Sequence, residues 1–198
     1  VDLSKNTALK TLNISDNTLS SITLPQTETL TTLLLNNNLL TSVDLTKNTG
    51  LTELNVSYNN LMSLNVSKNT ALTTLTANSN TVRTIGLPQS TTLTTLNVNS
   101  NALTSIDVSN CTALTHLYLG ENQLTALDVS KNTKLKEIEC HSNRFTMLDF
   151  SKNSSLRKIS CYYNQIYDVP SGAQNGESFV ANLPNIYVNG FNHGDILF

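Results

Sequence analysis

Glu139, Cys140 and His141 stand side by side in the stretch 138–145, IECHSNRF. A carboxylate, a thiol and an imidazole can bind zinc or support nucleophilic catalysis when they converge. His116, Glu137 and Lys158 form a second group, spaced by 21 residues. An imidazole beside a carboxylate can move a proton. Asp44, Asp107, Asp128 and Asp149 recur beside corners of the type Lys-Asn-Thr. Calcium would need such carboxylates to meet at one point, whereas Asp near a turn usually bonds local backbone. GxSxG, HExxH, P-loop and paired-cysteine zinc patterns are absent from the sequence. Whether any of these groups does chemistry depends on the elements that hold them.

Those elements repeat. Leu9, Leu30, Leu51, Leu72, Leu93, Leu114, Leu135 and Leu156 are separated by 21 residues throughout. An aliphatic follows three residues later in every copy, from Leu12 to Ile159. Another inward slot comes two further on and runs from Ile14 through Val98 and Leu119 to Cys140 and Cys161. Asparagine then occupies Asn17, Asn38, Asn59, Asn80, Asn101, Asn122, Asn143 and Asn164. A last apolar slot holds Leu19 in the first copy and Phe145 and Ile166 in the final two. Eight copies without an insertion predict a solenoid.

Alternation within each copy, as in Thr95-Leu96-Asn97-Val98-Asn99, predicts a strand with one buried face. Identical spacing makes the strands parallel and in register, about 4.8 Å apart. No unit buries its apolar face alone, so the stack is the core, and each buried aliphatic contributes about 1.5–3 kcal/mol. The recurrent Asn leaves the strand where backbone groups lose their partners, and its amide can satisfy them.

The unit LxxLxLxxNxL resembles the leucine-rich repeat, over about residues 2–169. Its second half, LDVSKNT at 127–133, and its 21-residue length resemble the internalin J-type repeats of bacterial surface proteins. The resemblance implies a parallel sheet on a concave face, short strands or turns on the convex side, and ligand binding on the concave face. It also implies a cell-surface or extracellular location. The family carries a cysteine ladder in the third apolar slot; here only Cys140 and Cys161 match, and Cys111 sits in an asparagine slot instead. In-register strands hold the first two side by side, so both are expected to be buried thiols with no disulfide between them.

The predicted domains are a solenoid at 1–169 and a cap, or the start of a following domain, at 170–198. Val1–Thr7 matches the second half of a unit, so the array is expected to start inside a repeat and to be a fragment of a longer protein. Asn189-Gly190 suggests a hairpin in the cap. Pro25 and Pro88 replace the Lys-Asn-Thr corner in two units 63 residues apart, the mark of a duplicated three-repeat block.

Composition excludes several partners. A net charge of −2 with 12 basic residues offers no broad footprint for nucleic acid or anionic lipid. No apolar run is long enough to enter a membrane, and the start of the chain does not read as a signal peptide. Three cysteines do not make a disulfide scaffold.

The register turns three columns outward. They begin at Thr11, Asn13 and Ser15 and end at Lys158, Ser160 and Tyr162. The first five units fill them mostly with Thr, Asn and Ser, whereas the last three bring charge and aromatic rings. The candidate binding residues are His116, Tyr118, Glu137, Glu139, His141, Arg157, Lys158, Tyr162 and Tyr163. Tyr and Arg are frequent anchors of interfaces. The plainer reading is a solvated face on which His116, Glu137 and Lys158 form an ion-pair ladder worth about 0–1 kcal/mol.

The expectation is therefore a monomeric, non-catalytic binding or adhesion module, with no cofactor and no metal, that takes a protein partner. The alternatives are a glycan-binding surface and a structural spacer. The Glu139-Cys140-His141 triplet separates in this register: Cys140 turns to the core, while Glu139 and His141 face outward.

Overall fold

The computed structural model describes residues 1–165 and a short strand at 187–188. Each unit contributes one three-residue strand to a long parallel sheet. These strands are β1 (Thr11–Asn13), β2 (Thr32–Leu34), β3 (Glu53–Asn55), β5 (Thr74–Thr76), β7 (Thr95–Asn97), β8 (His116–Tyr118), β9 (Glu137–Glu139) and β10 (Lys158–Ser160). They pair in that order, each residue opposite the one 21 positions later, as in Leu12↔Leu33 and Leu117↔Ile138. Strand β11 (Tyr187–Val188) adds to the far edge, parallel to β10. The other tail readings, the boundary at 169/170 and the Asn189-Gly190 hairpin, lie outside the described residues.

A second, shorter sheet pairs β4 (Ser63–Asn65) with β6 (Thr84–Gly86). Elsewhere this side is built from turns, with one isolated bridge between Asp2 and Thr23. There are no helices among the described residues, hence none long and apolar enough to cross a membrane.

The central residue of each long-sheet strand from β2 to β10 points into one continuous core: Leu33, Leu54, Leu75, Leu96, Leu117, Ile138 and Ile159 are at most 1% exposed. Phe145 is the largest fully buried side chain and fills the last apolar slot of its unit. In the first unit Leu9, Leu12 and Ile14 are only partly buried, because their strand lies at the edge of the sheet.

The asparagine file links one unit to the next. Asn122 Nδ2 donates to the carbonyls of Val98, Leu119 and Gly120 at 3.0–3.1 Å, and its Oδ1 accepts from the Leu103 amide at 3.0 Å. Asn38, Asn59, Asn80, Asn101 and Asn143 repeat the arrangement. Each amide thus satisfies orphaned backbone groups of two units at once. The corner asparagines make a second file: Asn132 donates to Val108 and Cys111, and Asn153 donates to Val129 and Asn132.

The residue before each file asparagine has positive φ in all eight units, from 53° to 58°. Asp16 and Asn37 suit this conformation, but Tyr58, Ser79, Ser100, Glu121, Ser142 and Tyr163 adopt it too. The turn that ends the strand imposes it, whatever the residue type.

Candidate functional site

Two of the candidate groups have plain structural places in the fold. Cys140 is a fully buried free thiol in the slot that holds Val98 and Leu119, and burial, then the neighbouring Cys161, pushes its ionisation well above 9.0. Glu139 and His141 lie on the other side of the same strand backbone. The triplet is therefore not one site. Asp2, Asp44, Asp107, Asp128 and Asp149 each accept the amide of the residue two positions on, at 2.8–3.0 Å. Hydrogen bonds from Ser or Thr at that position hold all five carboxyls below their ordinary value. Their role is to close the corner turns. Among the described residues no three His, Cys, Asp or Glu side chains are grouped to hold a metal.

The outward columns form as the repeat dictates. His116 pairs with Glu137 and Glu137 with Lys158; Tyr118 pairs with Glu139 and Glu139 with Ser160. The third column continues beyond the strands, where the Ser142 amide donates to Tyr162 at 2.8 Å. Outward does not mean fully exposed, however. Neighbouring side chains leave His116, Tyr118, Glu137, Glu139, His141, Lys158 and Tyr162 half-buried, and Ser57 and Ser160 are buried. Arg157 stands exposed at the entry to β10, and Tyr163 is 63% exposed in the positive-φ turn.

The charges arrange differently from a His116–Glu137–Lys158 ladder. Lys158 Nζ lies 2.5 Å from Glu137 Oε1 and 3.5 Å from Glu139 Oε1, so one ammonium joins both carboxylates of β9. His116 is not part of that network. Its Nδ1 lies 2.9 Å from the hydroxyl of Thr115, and its ring stacks loosely on Tyr118, with centroids 6.3 Å apart. A lysine side chain has the reach to span two columns, whereas the imidazole is captured by the hydroxyl next to it. Hydrogen bonding to Glu137 raises the Lys158 ionisation. Burial, and then the charges of Glu137 and Glu139, raise that of the Tyr118 phenol. Asn99 joins this group from two strands away: its Nδ2 lies 3.4 Å from Glu139 Oε2, and its Oδ1 accepts the Gly120 amide at 2.7 Å.

The aromatic rings form a file. His141 and Tyr162 stack with centroids 4.6 Å apart and planes 2° from parallel. Tyr163 meets Tyr162 edge-on, with centroids 5.1 Å apart. On the other side His141 lies over Gly120. A Cβ added there would come within 2.5 Å of His141 Nε2 and 2.8 Å of Cε1. Gly120 is thus the seat of the ring, a role not assigned from the sequence. Its trace was visible: the same column carries Ser, Asn, His or Tyr in every other unit. The His141 ring thus lies between Gly120 and the Tyr162 ring, and the stack covers one face of Tyr162.

The comparisons agree with this architecture. A leucine-rich repeat family profile of two copies matches residues 91–132, and a single-copy leucine-rich repeat profile matches 5–21 and 47–63. No curated protein matches the chain. The functional domain of InlJ from Listeria monocytogenes, described as including a cysteine ladder, is 28% identical with a TM-score of 0.63; the match covers 85% of this chain and 47% of that one. Internalin C2 from Listeria monocytogenes is 25% identical with a TM-score of 0.63, covering 88% of this chain and 80% of that one. YopM, a leucine-rich effector protein from Yersinia pestis, is 25% identical with a TM-score of 0.70, covering 80% of this chain and 44% of that one. The chain spans about half the length of the InlJ and YopM structures it matches. With its 21-residue unit, its asparagine files and its parallel sheet, the chain is an internalin-like leucine-rich repeat protein.

Proposed function

We propose that the chain is a non-catalytic module that binds a protein partner through the outward face of the long sheet, over its last three described units. The observation that carries this reading is the concentration there of paired charge and ordered rings. Strands β8 to β10 and the turns after them present Tyr118, Glu137, Glu139, His141, Lys158 and Tyr162. In the earlier units the same columns are mostly Thr, Asn and Ser. Half-buried aromatic side chains held by stacking lose little further freedom when a partner arrives, which favours their use as anchors.

Residues 1–169 would serve as the array and 170–198 as its cap or the beginning of another unit. The kinship with internalins favours adhesion at a bacterial surface, or a secreted state. The spacer and glycan readings stand behind the protein reading. A spacer has no use for an ordered ring file, and the stack of His141 on Tyr162 takes one face of that ring away from a sugar.

Replacing Tyr118, Tyr162 and Tyr163 together with alanine should weaken capture of the native partner by more than about tenfold. The array should stay folded, with a melting temperature lower by only a few degrees, because the three rings lie outside the core and the stacking lost is about 0.5–1.5 kcal/mol. Unchanged capture by the folded variant would reject the patch.

A further inference from the structure

The partner's chemistry can be narrowed, on the premise that this face is the binding face. Glu137 and Glu139 share a single ammonium, that of Lys158. Among the described residues these are the only ion pairs, so the pair of carboxylates retains one uncompensated negative charge. Their side chains are 21% and 25% exposed, on a sheet face between neighbouring strands. Such partly buried charges are screened by salt less than free surface charges are.

Rings flank them. Tyr118 is in register with Glu139, and His116 with Glu137. The two carboxylates act on the Tyr118 phenol strongly enough to raise its ionisation, after the larger effect of burial. A carboxylate pair beside a tyrosine ring suits a cationic side chain, which can meet the oxygens with its charge and the ring with its stem. Lys158, at 36% exposure, already shows how one ammonium meets both carboxylates. Lys136 and Arg157 stand one residue before β9 and β10, exposed and outside any ion pair, so positive charge at the rim limits how many cations can enter.

We infer that the face around Glu137, Glu139 and Tyr118 receives one lysine or arginine side chain of a protein partner, which takes the place of Lys158 between the two carboxylates. The Lys158 ammonium then acts as an internal competitor that keeps the carboxylates ordered and lowers affinity for stray cations. Charge complementarity selects this occupant over an acidic or apolar segment.

The test titrates the 198-residue chain with a capped peptide, Gly-Gly-Lys-Gly-Gly, and with the same peptide carrying norleucine in place of lysine. Amide shifts are followed by NMR. The lysine peptide should bind saturably, with shifts centred on Tyr118 and Glu139, and the norleucine peptide should not. The folded double variant Glu137→Gln/Glu139→Gln should lose this binding. Lys158→Met should tighten it by about fivefold, the strength of a partly exposed ion pair. Equal shifts from both peptides, retained binding by the double variant, or weaker binding by Lys158→Met would each overturn the inference. Capture of the native partner separates this inference from the reading beneath it. If the double variant still captures the partner while the triple tyrosine variant does not, the face is used but the cation site is not.

Discussion

The Asn122 amide reaches the carbonyl of Val98, 24 residues earlier, at 3.0 Å. That contact makes the repeat a fold rather than a string of turns. The same side chain accepts the Leu103 amide, so one residue closes its own turn and clasps the unit before it.

Asn122→Ala should therefore be costly. It leaves a buried amide and carbonyls of two units without partners, and the expected loss is about 3 kcal/mol. Asn17 occupies the same slot in the first unit but bonds only Ile14 and Ser15, in an exposed setting. Asn17→Ala should cost about 0.5 kcal/mol. Urea denaturation of the two variants measures the difference; equal losses would mean that the inter-unit bonds contribute nothing.

Gly120→Ala should disturb the ring file without unfolding the sheet. The added methyl meets the imidazole of His141, which can swing away but must then leave Tyr162. The expected cost is the stacking energy, about 0.5–1.5 kcal/mol. Ring-proton shifts of Tyr162 report the movement, and unchanged shifts would show that the stack does not depend on the glycine.

Stability should fall at both ends of the pH scale. The corner aspartates ionise below 3.8 in the fold because Ser and Thr donors stabilise the carboxylates. Their contribution is present above that value and disappears as pH drops through the folded-state values. The buried thiols act in the opposite sense. Burial raises Cys111 from 9.0 to about 11, with a smaller push from Asp107, and Cys140 is also raised. Unfolding releases them to ionise, so their contribution is complete below pH 9.0 and shrinks as pH rises toward 11. Melting curves of Cys111→Asn/Cys140→Val should flatten on the alkaline side only, since Asn and Val occupy those slots in other units. A flattened acid limb would contradict the assignment.

The sheet register, the outward columns and the inward place of Cys140 were all readable from the 21-residue period, because one parallel offset serves every strand. Contacts between columns were not. Periodicity places Lys158 beside Glu137 but says nothing of its second bond to Glu139, which depends on side-chain reach. Nor does it take His116 out of the ladder, since the local hydroxyl of Thr115 captures the imidazole. The positive-φ turn was equally hidden: Tyr58, Glu121 and Tyr163 are poor markers of a conformation that Asn37 would signal.

The binding reading rests on a contrast between the two halves of one face, and that contrast can be measured. The native partner's Kd is determined for Tyr118→Ala/Tyr162→Ala/Tyr163→Ala and for Thr32→Ala/Asn55→Ala/Thr76→Ala, both checked for folding. The first set should raise Kd by more than about tenfold and the second by less than about twofold. Equal effects, or a larger loss from the second set, would contradict the placement of the site on the last three units.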